Sequence, residues 1–136
     1  MMRYVLAGVL SGMLFGVMDG IIHANPFARK LYSYYGPLAK TSINPVAGVI
    51  VDLLYGFVMA AVFLLLFKAL PGASSLAKGI CFGAMVWFFR VVMSVAGDWV
   101  MLNVPPAALL YRLASGLAEM LVLGCLYGLT LSRDYL

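Results

Sequence analysis

Seven titratable or charged side chains stand inside apolar runs of this sequence: Asp19, His23, Asp52, Arg90, Asp98, Arg112 and Glu119. Four of them belong to the chain's five acids. Their spacing is orderly. Arg90, Ser94 and Asp98 recur every four residues, and Arg112, Ser115 and Glu119 are three and four apart, so on a helix each trio forms one polar face. His23 follows Asp19 by one helical turn. Carboxylates gathered with arginine and a single histidine can hand protons on or hold a cation. They can equally serve as ion pairs that fix how helices rotate against one another.

Other chemistries lack their residues. No GxSxG, HExxH, P-loop or GxGxxG pattern is present, so no catalytic residue is assigned and an enzyme is not expected. Cys81 and Cys125 lie apart in apolar stretches, with neither a CxxC pair nor zinc spacing, and read as small packing residues. No metal site is expected. One histidine excludes a haem held by two histidines of this chain, while a single axial haem or pigment contact at His23 stays open. So does a quinone or lipid-tail groove beside Trp87, Phe88 and Phe89. Lipid is the one expected companion molecule.

The elements that carry these groups follow from composition. The chain has 136 residues, 65% of them hydrophobic and 10% charged, far outside the balance of a soluble domain. With a mean hydropathy of +1.04 it expects lipid as its solvent. A span needs roughly 20 apolar residues. Four fit, at about 4–24, 45–69, 76–102 and 107–131, separated by Asn25-Pro26, Pro71-Gly72 and Val104-Pro105-Pro106. The fold expected is therefore all-α, a single domain built as a four-helix transmembrane bundle. In the longest loop, Tyr32, Tyr34 and Tyr35 beside Arg29 and Lys30 suit a headgroup layer, so a short interfacial helix is expected from about Ala28 to Tyr35, between helices 1 and 2. The first span is read as a mature helix, because Asp19 and His23 interrupt it and no small-x-small cleavage pattern follows.

Four spans put both termini on one side. Arg3, Lys68, Lys78 and Arg133 lie there, against Arg29, Lys30 and Lys40 opposite, which leans to cytoplasmic termini of a multi-pass membrane protein. The net charge of +4 is scattered through loops, so nucleic acid is not an expected partner.

Depth along the helices sorts the polar groups. Counted from the long-loop side, Asp19, Asp52, Asp98 and Arg112 all lie roughly 6 to 10 Å in, at 1.5 Å per residue. The expectation is a shallow layer in which three carboxylates surround Arg112, with His23 at the rim. Arg90 and Glu119 share a deeper level and are expected to pair near mid-span. Small residues supply the packing faces: Gly8, Gly12, Gly16 and Gly20 on helix 1, Gly48 and Gly56 on helix 2, Gly83 on helix 3 and Gly116 on helix 4. Gly12-Met13-Leu14-Phe15-Gly16 and Gly79-Ile80-Cys81-Phe82-Gly83 echo one another and hint at two similar halves.

Two functions fit these features. The leading one is a non-catalytic accessory or structural subunit of a larger membrane complex, its partners being other membrane subunits or further copies of itself. The alternative is a small proton-, cation- or solute-transporting protein acting as a homo-oligomer through the carboxylate layer.

Overall fold

The computed structural model describes residues 1–131. The expected polar tail, with Arg133, lies outside the described residues. Every element is helical: α1 (Met2–Ala24), α2 (Pro26–Leu31), a 3-10 segment (Ser33–Leu38), α3 (Pro45–Leu66), α4 (Ser75–Trp87), a π turn (Phe88–Val92), α5 (Met93–Met101) and α6 (Pro106–Thr130). The run Ser75–Met101 is continuous, so four helices are long and apolar enough to cross a membrane.

The helix ends follow from local chemistry. Asn25 serves two helices: its amide donates to the Ile21 and Ile22 carbonyls at the end of α1, and its side-chain oxygen accepts from Ala28 N at 2.8 Å to start α2. Asn44 caps α3 in the same way, accepting from Val46 N and Ala47 N, with Pro45 in the first turn. Ser74 caps α4 through Ala77 N. Gly72 has φ +135°, a conformation that side-chain-bearing residues rarely adopt, and it turns the chain between α3 and α4.

Two boundaries and one helix interior differ from expectation. The loop helix is two shorter pieces, because Tyr32 ends α2 and Pro37 fits the tighter 3-10 coil that follows. The second long helix stops at Leu66 and gives way to turns at Phe67–Ala69. The third contains a five-residue π turn where regular helix was expected.

The helices pack as two tight pairs, α1 with α3 and α4 with α6, joined mainly where α1 meets α6. Missing side chains permit both close approaches. A Cβ on Gly56 would collide with the backbone of Gly8 and Gly12, and one on Gly79 would fall on the carbonyl of Gly124. Gly83 faces the Met120 backbone, and Gly128 that of Ser75 and Leu76. Gly8 lies under the Phe57 ring, Gly16 under the Asp52 carboxylate and Gly116 against Val91. Gly20 and Gly48 depart from the expected packing role: a Cβ on either would meet nothing within 4 Å.

Aromatic rings close the seam between the pairs. Phe63, Phe82 and Tyr127 are 0% exposed and contact one another at centroid distances of 5.3 to 6.0 Å. Lys78 supports that end, donating to the Phe67 carbonyl at 2.5 Å while its Nζ sits 4.7 Å from the Phe67 ring. A cation beside the last carbonyls of a helix is favourable.

Candidate functional site

At the other end of the molecule α1 meets the π turn, α5 and α6 around a cavity of about 520 Å³. Its wall carries Asp19 and His23 from α1, Arg90 and Ser94 from the continuous third helix, and Arg112, Ser115 and Glu119 from α6. The i, i+3 and i, i+4 spacings deliver these groups to one side of each helix. Lined by charged and hydroxyl groups rather than by leucine and phenylalanine, it is a place that accommodates water.

The polar groups are paired in an ordered way. His23 Nδ1 lies 3.1 Å from an Asp19 carboxylate oxygen and 3.0 Å from the Asp19 carbonyl. Arg112 forms an ion pair with Asp98 and donates to Ser94 Oγ at 3.1 Å. Ser115 donates to the Tyr111 carbonyl, and the Tyr111 hydroxyl donates to Ile22 O at 2.6 Å and ties α6 to α1.

Deeper in, the Arg90 guanidinium is 3.9 Å from a Glu119 oxygen. That pairing is looser than a direct charge-assisted hydrogen bond, which spans about 2.7 to 2.9 Å. Its stronger anchorage is aromatic. The guanidinium carbon lies 4.7 Å from the Phe15 ring centre and 4.8 Å from that of Tyr55, within cation–π range. These rings pack on each other at 4.5 Å. Glu119 is 5% exposed, and its second carboxylate oxygen has no hydrogen-bond partner among the described residues. A buried carboxylate oxygen without a donor calls for a proton, a water molecule or a ligand.

The expected shallow layer divides. Asp98 does meet Arg112, and Asp19 meets His23 rather than Arg112. Asp52 does not join them. Its carboxylate lies over Gly16 in a separate groove lined by Met13, Val17, Val49 and Leu53, and it makes no ion pair or hydrogen bond among the described residues. Depth gave one coordinate only, and the rotation of α3 turns Asp52 away from the cavity. Phe15, Tyr55 and Tyr111 were not anticipated as site residues. Counting aromatic residues by depth, as the charges were counted, would have put Phe15 and Tyr55 at the level of Arg90.

A second cavity of about 710 Å³ lies outside the first and shares His23 and Arg112 as a common wall. Tyr32, Tyr35 and Arg29 line it from α2 and the 3-10 segment, and the His23 and Tyr32 rings stack at 5.5 Å. The Tyr32 hydroxyl is buried without a partner among the described residues, and burial pushes its pKa up to about 12. It is therefore a neutral hydrogen-bond donor at ordinary pH. Burial also raises Tyr34.

Among the described residues, no group of three or more His, Cys, Asp or Glu side chains is placed to hold a metal ion. Trp87 is engaged structurally, donating from Nε1 to Leu113 O at 2.9 Å, while Phe88 and Phe89 point outward. No protein-family model, curated protein or solved structure matches the chain.

Proposed function

We propose that this chain is a multi-pass membrane protein that moves protons or a small polar solute, and that Glu119 is the group at which exchange occurs. The observation that carries this reading is the Glu119 carboxylate, almost fully buried at mid-helix on a polar cavity, with one oxygen unpaired. Ionisable groups inside a bundle are costly in lipid and characteristically mark proton or ion pathways. The outward surface supports lipid as the solvent: Ile21, Leu65, Phe89, Trp99, Leu110 and Leu129 project from all four long helices with more than half of their surface exposed. The basic residues of the loops favour cytoplasmic termini in this reading.

Asp19 and His23 form the outer pair, Arg112 and Arg90 balance the acids, and Glu119 ends the polar track. Beyond it, the contacts among Phe63, Phe82 and Tyr127 close the way, so passage requires the two helix pairs to shift, or a neighbouring copy to complete the path. Purified protein in liposomes under an imposed pH gradient tests this. Wild type should dissipate the gradient, Glu119→Gln should abolish the flux, and Asp52→Asn, whose carboxylate faces elsewhere, should leave it intact. Absence of wild-type flux for protons and for small charged solutes would overturn the reading.

A second reading, an accessory subunit, draws on Gly20 and Gly48. Each extends a small-residue face past its last contact. A foreign subunit recovered stoichiometrically in mild detergent would favour it.

A further inference from the structure

We infer that the outer cavity is a binding site for the phosphate group of an anionic lipid headgroup, with Arg29 and Tyr32 as its recognising residues. The inference rests on the membrane reading but not on transport.

The cavity's own wall contains three basic side chains, Arg29, His23 and Arg112, and no acid. Two of these are already engaged: His23 by Asp19 and Arg112 by Asp98. Arg29 makes no ion pair or hydrogen bond among the described residues. Its guanidinium, with several N–H donors, lies at the wall of an open cavity. One turn further along the chain, the Tyr32 hydroxyl is buried and has no acceptor among the described residues. Buried unpartnered donors are uncommon, because each costs the hydration it has lost. A guanidinium and a hydroxyl, both short of acceptors, match phosphate oxygens, which only accept.

The remaining wall explains why a lipid fits better than a free ion. Tyr35, Gly36, Ala39 and Ile43 give that side aromatic and aliphatic surface suited to glycerol and the start of an acyl chain. The cavity lies at the loop end of the long helices, where a headgroup layer would fall, and tyrosine with arginine is the usual composition of that layer.

Native mass spectrometry of protein extracted from carbonate-washed membranes tests this, with phosphatidylglycerol, phosphatidylcholine and inorganic phosphate titrated separately. Wild type should retain phosphatidylglycerol over phosphatidylcholine, and Arg29→Gln should weaken that retention by roughly tenfold, as expected for losing one charge-assisted contact. Tyr32→Phe should weaken it less. Lys40→Gln removes the same charge from the same loop but lies outside the cavity wall, and should change little. Equal retention of both lipids would overturn the site while leaving the membrane reading standing. So would an equal loss in Lys40→Gln, which marks general attraction to the loop. Inorganic phosphate displacing the lipid at micromolar concentration would contradict the lipid assignment and make free phosphate the ligand.

Discussion

Arg90 shows what a single residue decides in this molecule. Its charge has a partner in Glu119, yet the 3.9 Å separation leaves the aromatic surface of Phe15 and Tyr55 as the closer fit. A planar guanidinium stacks on rings in a way that an ammonium does not. Arg90→Lys should therefore lower the unfolding midpoint in detergent by an amount corresponding to about 1 kcal/mol, within the range of partly exposed cation–π contacts. Exchanging the two residues as Arg90→Glu with Glu119→Arg should not restore stability, because Phe15 and Tyr55 would then face a carboxylate. Full rescue by the exchange would show that the ion pair, not the aromatic seat, holds Arg90. The charges themselves were legible in the sequence, as were the shared faces of Asp19 with His23 and of Arg112, Ser115 and Glu119. What escaped was the rotation of each helix, which sends Asp52 to one side of α1 and Asp19 to the other. Sequence spacing fixes which residues of one helix share a face. It does not fix which neighbour that face meets.

Elements rather than residues account for the tightness of the two pairs. The glycine stripes announced close packing, and the backbone approach at Gly79–Gly124 and Gly56–Gly12 is the physical result. Stripes alone could not say where contact stops. The structure supplies that limit and with it a graded test. Gly79→Ala puts a methyl group on the Gly124 carbonyl, where backbone must move, and should cost about 1 to 3 kcal/mol in an unfolding titration. Gly20→Ala adds the same methyl group to open space and should be near neutral. Equal losses would mean that helix propensity or lipid contact, not close approach, governs both sites. The π turn at Phe88–Val92 had no sequence signal, since no proline or glycine marks it. It inserts one extra residue per turn just where Arg90 must reach α1 and Val91 must clear Gly116. Such turns are frequent at functional sites.

At the scale of the whole molecule, two close-packed helix pairs share a limited seam. One end of that seam is filled with aromatic rings, and the other holds polar cavities. The Gly12–Gly16 and Gly79–Gly83 segments lie on the close-packed faces of their pairs, α1 on α3 and α4 on α6. Number of helices, their approximate limits and the apolar exterior could all be read from composition and proline placement. The cavity could not, because it depends on which polar faces of α1, the third helix and α6 turn toward one another.

The central claim is that a water-filled cavity opens from one face of the membrane and reaches Glu119. Thiol accessibility tests it most directly, in a background carrying Cys81→Ala and Cys125→Ala. Ser94→Cys places a thiol in the cavity wall, and Leu54→Cys places one on an outward apolar surface of α3. A membrane-impermeant, charged thiol reagent should modify Ser94→Cys from one side of sealed vesicles and leave Leu54→Cys untouched from both. An unreactive Ser94→Cys, or reaction from both sides, would contradict the account.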